Sequence, residues 1–139
     1  MQAREFESRS HRMKFLSKKD SIYFKKPEGT AVNYYLFPEY EIHYNEQPPE
    51  TTQPWHHHDT INESILMLEG EMWAHWLENG KKKKRKVKKG DLVEVENTPH
   101  TFINSSKKKI KFVVFRFVPT GKNTSQVIKK DKVLDTHLE

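Results

Sequence analysis

Three histidines in a row, His56, His57 and His58, stand in the stretch PWHHHDTINES, and Glu63 follows five residues after the last. Imidazole and carboxylate are ligands that divalent first-row metals accept, so this cluster is where chemistry is expected. Alternate side chains of an extended segment share a face, which sends His56 and His58 to one side and His57 to the other. The DTIN bend after them can fold the Glu63 carboxylate back toward the pair. Two imidazoles and one carboxylate form a facial set for such a metal, and a fourth ligand is usual. His100, in NTPHTFIN, begins a strand after a turn, with Pro99 before it to fix its approach. A solvated histidine loop and a purification tag are the other readings of HHH. A tag is normally terminal and longer, whereas this triple is internal and bounded by Trp55 and Asp59. His11, His43, His75 and His137 have no comparable setting and read as surface or structural groups.

The elements that must position these groups read as strands. Apolar residues come in short runs rich in β-branched and aromatic types, separated by turn signals. VNYYLF (32–37) and EIHYN (41–45) are two such runs, parted by Pro38. The proline-marked loop QPPETTQP delivers the chain to the histidines. ESILML, MWAHWL, the basic run, GDLVEVE, HTFIN and IKFVVFRFV follow in turn, and a weak last strand is expected in SQVIKKDKV. Asn79-Gly80 is the strongest hairpin signal. Helical periodicity is absent apart from a short turn near the start. Many short strands with frequent turns indicate an all-β sandwich or barrel. ILML and FVVF are apolar on both faces, which calls for a second layer outside the core, such as a dimer partner.

The 139 residues suit one domain, large enough to fold without a disulfide. There is no cysteine, which excludes a disulfide framework and a thiol nucleophile and suits a reducing compartment. The opening MQAREFESRSHR is charged and lacks the apolar segment of a signal peptide. No apolar run approaches the length of a membrane span. A cytoplasmic protein that does not engage membranes is the expectation. Met13 is an alternative start, and Leu138-Glu139 reads as a cloning remnant; neither tail enters the functional reading.

The formal charge of +6 is a local feature, because KKKKRKVKK (81–89) holds eight of the 25 basic residues. Without it, 17 basic residues face 19 acidic ones, a net of −2. The run lies between the NG turn and Gly90, where a solvated strand is expected, and lysines protect exposed strands from unwanted pairing. No aromatic stacking platform accompanies it, so nucleic acid is not the expected partner. It can still attract anionic ligands.

HHHDTINESILMLEG resembles the first cupin motif (His-x-His, four residues, Glu, six residues, Gly), with His56, His58, Glu63 and Gly70 in those places. GDLVEVENTPHTFIN resembles the second, with Gly90, His100 and Asn104. It departs at ENT, which replaces the usual Pro-x-Gly turn and is one residue shorter. The resemblance spans roughly residues 30–118 and rests on two ordered motifs. It implies a double-stranded β-helix, a jelly-roll cupin barrel, over 30–119. Residues 1–29 are then an extension with a dimer-forming strand, and 120–139 a carboxy-terminal strand and tail. The family's ligands carry over to His56, His58, Glu63 and His100, and the implied cofactor is a divalent transition metal: Fe, Mn, Ni, Cu or Zn. Such a set leaves about two open positions if octahedral, for water, a chelating substrate or dioxygen. Asp59, Asn62 and Asn104 are candidates for orienting the imidazoles.

Strand parity places Met67 beside Glu63 and Phe102 beside His100. With Trp55 and either Trp73 or Trp76, these residues are expected to give an apolar pocket around the metal. Arg116 is a further inward candidate, suited to an anionic group. The expected partner is a small-molecule substrate carrying a chelating oxygen pair. The expected function is a metal-dependent dioxygenase or a Lewis-acid isomerase or lyase; the alternative is a non-catalytic binding or sensing cupin. A homodimer is expected, paired through the aromatic-rich SIYFKKP and NYYLF.

Overall fold

A computed structural model of the chain describes residues 13–118 and 131–139. The leader before Met13, His11 and the SQVIKK part of the expected last strand lie outside the described residues. The strands are β1 (Ile22–Lys25), β2 (Ala31–Leu36), β3 (Tyr40–Gln47), β4 (Thr51–Thr52), β5 (His56–His58) and β6 (Asn62–Glu69). Then come β7 (Met72–Glu78), β8 (Lys81–Val87), β9 (Leu92–Glu94), β10 (His100–Asn104), β11 (Ile110–Phe117) and β12 (Lys132–Leu134). A 3-10 turn at Lys18–Asp20 and another at Thr136–Leu138 are the helical elements among the described residues. None is long or apolar enough to cross a membrane.

The strands form two antiparallel sheets of a jelly-roll barrel, in the orders β1-β2-β3-β11-β6-β9 and β12-β5-β10-β7-β8, with β4 added on β10. Both flanking segments thus contribute a strand: β1 pairs with β2, and β12 pairs with β5. The core between the sheets is built on Ile65, Met67, Met72, Phe102, Phe112 and Val114. On β6 and β11 the opposite faces carry Leu66 and Phe115, which remain 40% and 37% exposed. The two-sided apolar runs therefore leave an apolar outer face on the first sheet.

β3 follows strict alternation, yet its buried set is Glu41, His43, Asn45 and Gln47, while Tyr40, Ile42 and Tyr44 sit half-buried on the outside. Polar groups line this part of the barrel interior because each finds a partner there. His43 Nε2 donates to Glu41 Oε1 at 2.8 Å, and Gln53 Nε2 donates to Gln47 Oε1 at 3.1 Å.

The turns behave as their residues dictate. Asn79 (φ 51°) and Gly80 (φ 75°) both take the left-handed region required by a type I′ hairpin between β7 and β8. β8 ends its sheet, and its lysines point into solvent, Val87 alone being buried within it. Several of these lysines lie along tryptophan faces, with Lys82 over Trp55 and Lys84 and Lys86 over Trp73.

Gly70 and Gly90 both have positive φ, but only Gly70 is also crowded, since a Cβ there would meet Ile110 Cγ2 at 2.6 Å. Gly70→Ala is therefore expected to cost about 2–4 kcal/mol, from left-handed strain plus overpacking. Gly90→Ala, which meets open space, should cost only about 1–2 kcal/mol. Urea denaturation of the two variants checks the difference.

Candidate metal centre

The barrel brings the two halves of the sequence signal together. His56 and His58 project inward from β5, and His100 pairs with His56 across the β5–β10 ladder. Glu63 reaches the same point from the start of β6 in the opposite sheet. The four residues are buried, and one ligand atom from each lies within 4.8 Å of all the others. The shortened ENT turn delivers His100 without loss of register, with Leu77 N–H donating to the Pro99 carbonyl at 3.1 Å.

Backbone carbonyls orient two of the imidazoles in the same way. His56 Nδ1–H donates to the Pro54 carbonyl at 2.8 Å, and His100 Nδ1–H donates to that of Thr98 at 2.7 Å. A carbonyl only accepts, so the proton sits on Nδ1 and each Nε2 presents a lone pair. Burial pushes His56 down to about 2, helped by the neighbouring His100 and Lys132. Burial also lowers His100. Both rings are neutral, as metal ligands must be. Burial alone would raise the Glu63 carboxyl, but Arg116 and His58 outweigh it and hold the group well below the usual carboxylate range. Arg116 Nη2 lies 3.5 Å from Glu63 Oε1.

The donor atoms test whether a cation fits. His58 Nε2 lies 2.7 Å from Glu63 Oε2, yet neither atom makes an aligned hydrogen bond, and His100 Nε2 is equally unpartnered. Buried polar atoms without partners are costly and rare in folded proteins. Three imidazoles, two of them with Nε2 held unprotonated, and a carboxylate converge on one point and are matched to a divalent cation, which would leave the cluster at about +1 with neutral rings.

The other expected site residues fall in different places. Phe102 lines a cavity of about 460 Å³ that reaches His100, together with Trp76, Ala74 and Val95. It also borders a second gap of about 10 Å³ on the side of His56 and Glu63. Met67 packs in the core and lines neither space. Trp55 shares the outward parity of His57 and is covered by the carboxy-terminal segment. Its N–H donates to Glu139 Oε1 at 3.2 Å, and its carbonyl accepts from Asp135 N–H at 2.8 Å. The terminal residues, given no weight in the sequence reading, therefore close over the back of β5. Trp73 faces the lysines of β8.

His57 turns away from the cluster, its Nδ1 2.8 Å from Asp135 Oδ2 and its Nε2 3.1 Å from Asp59 Oδ1. Asp59 thus serves His57. Asn104 Nδ2 donates to the carbonyls of Gln47, Pro48 and Lys108, bracing the loop that leads into β4 and β5. The orienting groups for His56 and His100 are main-chain carbonyls, which no side-chain motif could reveal. Lys26, His43 and Glu41 also went unread as parts of the site's surroundings; the shared parity of the polar residues in EIHYNEQ was the available signal.

Known proteins bear on the fold and family. Residues 43–116, over half of the chain, match the family model described as the cupin domain. No curated relative matches the sequence. Among solved structures, oxalate decarboxylase from Bacillus subtilis at pH 4.6 superposes with a TM-score of 0.70 at 14% identity, covering 86% of this chain and 31% of that one. Oxalate oxidase in complex with the substrate analogue glycolate gives 0.61 at 20% identity, covering 77% and 60%. Peruvianin-I, a cysteine peptidase from Thevetia peruviana latex, gives 0.63 at 13% identity, covering 77% and 73%. The chain thus spans about 60% of the oxalate oxidase and under a third of the decarboxylase. At these identities the likeness is one of fold, and a chain without cysteine cannot share a thiol nucleophile with the peptidase. With the family model lying across strands β3 to β11 and both motifs meeting inside one jelly-roll barrel, the chain belongs to the cupin family.

Proposed function

We propose that this cupin holds one divalent transition metal on His56, His58, Glu63 and His100 and acts on a small molecule, as a dioxygenase or as a Lewis-acid isomerase or lyase. One observation carries the reading: four buried ligand atoms from β5, β6 and β10 converge, and three of them lack any hydrogen-bond partner. When bound, Fe, Mn, Ni, Cu or Zn would supply Lewis acidity and, for a redox metal, reactivity with dioxygen. The chain's own groups have definable tasks. The Pro54 and Thr98 carbonyls fix the ring orientation of His56 and His100. Arg116 keeps Glu63 ionised, and Phe102 and Trp76 give the 460 Å³ cavity an apolar wall. That volume suits a small organic ligand. Two of the fold neighbours are oxalate-processing enzymes, which is in keeping with small-molecule chemistry here.

Elemental analysis of natively expressed protein is the test, followed by oxygen consumption with Fe(II) across diketones, phenols and thiols. About one metal per chain and turnover of one class are expected. Absence of metal overturns the centre; metal with ligand binding but no turnover, whichever ion is loaded, assigns the site to binding or sensing.

We also propose a homodimer, for which Tyr23 and Phe24 on β1 and the apolar outer face of the first sheet offer the surface. A cysteine-free chain suits a reducing compartment, and the cytoplasm is the location we propose.

A further inference from the structure

The basic strand β8 takes no part in the metal centre, and it stands at an open edge of the barrel. Lys81–Val87 ends its sheet and pairs with β7 through seven residue pairs without a register shift. Alternate N–H and C=O groups of such a strand point away from its neighbour. No other main-chain hydrogen bond reaches Lys81–Val87 among the described residues. Edge strands are normally blunted by a bulge, a proline or charge, and β8 has neither bulge nor proline. Its safeguard is positive charge, which repels other strands but not an acidic one.

That charge exceeds what the fold offsets. Residues 81–86 are consecutive exposed cations. Lys83 meets Glu78 at 3.3 Å and Lys86 meets Glu71 at 3.4 Å. Lys81, Lys84 and Arg85 have no ion-pair partner among the described residues. Burial, reinforced by Lys84 and Lys82, lowers the neighbouring His75. The cations occupy both faces of the strand. Lys82, Lys84 and Lys86 stand opposite Leu77, His75 and Trp73, whereas Lys81, Lys83 and Arg85 stand opposite Glu78, Trp76 and Ala74.

The face is poorly suited to nucleic acid or lipid. Lys82 Nζ lies 5.3 Å from the Trp55 ring centroid, and Lys84 and Lys86 lie 5.5 and 5.0 Å from that of Trp73. With lysines over these rings, a platform for stacking bases is missing. No large apolar side chain of β7 or β8 is exposed, so none is offered to a lipid surface.

We propose that β8 is a docking edge for an acidic, extended segment of a partner protein, which adds a strand to the second sheet. Main-chain hydrogen bonds along the outer edge supply the pairing, as in strand addition generally. Opposite charges on facing residues strengthen it. Because both faces of β8 are cationic, the incoming strand carries its acidic residues in runs and not in alternation. Arg85, Lys86 and Val87 also wall the 460 Å³ cavity, so the docked strand lies beside its rim.

The probe is a fluorescein-labelled peptide, Glu-Glu-Val-Glu-Glu-Val-Glu-Glu, titrated with the full chain and read by fluorescence anisotropy. A copy N-methylated at each internal peptide bond keeps every carboxylate and loses its main-chain donors. The unmodified peptide should bind at least roughly tenfold more tightly than this copy, and than an oligothymidylate of equal charge. The double variant Lys82→Glu/Lys84→Glu should weaken peptide binding by at least roughly tenfold while keeping the wild-type dichroism spectrum. No saturable binding of the peptide, equal affinity for its N-methylated copy, or undiminished affinity in the double variant overturns the docking edge. Equal or tighter binding of oligothymidylate assigns the face to nucleic acid and overturns it as well.

Discussion

His58→Ala is expected to strip the protein of its metal, whereas His57→Ala, one residue away, is expected to leave metal content unchanged. His58 is completely buried, and both its ring nitrogens lack hydrogen-bond partners. His57 spends its two nitrogens on Asp135 and Asp59 outside the barrel. Removing a direct ligand should weaken metal binding by more than about 100-fold, beyond the 10–100-fold typical of losing a supporting group. Thermal denaturation gives an independent readout. Metal at 100 times its Kd should stabilise the wild type by about 2.7 kcal/mol, and that gain should vanish in His58→Ala. Equal metal content in the two alanine variants would remove His58 from the ligand set. His57→Ala has its own signature, since it releases Asp135 and should loosen the carboxy-terminal segment over Trp55 without touching the centre.

Phe115→Asp is expected to convert a dimer into a monomer. Phe115 lies on the outer face of the first sheet, with Tyr40 at 5.5 Å and Phe117 at 5.3 Å between ring centroids. Leu66 and Leu92 are cross-strand partners on the same sheet and are 40% and 62% exposed. A monomer seldom leaves such a continuous apolar face in water, and a second copy covering it is the simplest remedy. Because the side chain points away from the core, the aspartate should leave the barrel folded, with an unchanged far-ultraviolet dichroism spectrum. Sedimentation velocity at micromolar concentration reads the outcome. A monomeric wild type, or an unaltered dimer in the variant, sinks the proposed interface.

Much of the barrel was legible because its signals are local. The β-branched and aromatic runs, the NG turn and the lysines of β8 each act over a few residues, and each appears where the sequence places it. The period of two separates His57 from its neighbours without any tertiary information. The same period states which side chains share a face but not which face meets the core. That is why EIHYNEQ, a plain amphipathic strand by pattern, turns Glu41, His43, Asn45 and Gln47 inward and Ile42 and Tyr44 outward. It is also why Trp55 belongs to the back of β5 and not to the pocket.

The candidates His56, His58 and Glu63, the all-β class and the outward turn of His57 were legible in the sequence alone through residue type and short-range spacing, and the resemblance to the second cupin motif added His100. Only the tertiary structure decided that Arg116 steadies Glu63, that Pro54 and Thr98 aim the imidazoles, and that Lys26 reaches the gap beside His56 and Glu63. The Arg116–Glu63 contact joins neighbouring strands of one sheet that lie far apart in the sequence, and the carbonyl contacts depend on the path of the main chain. Strand pairing and backbone path are settled by the fold, which no local pattern encodes.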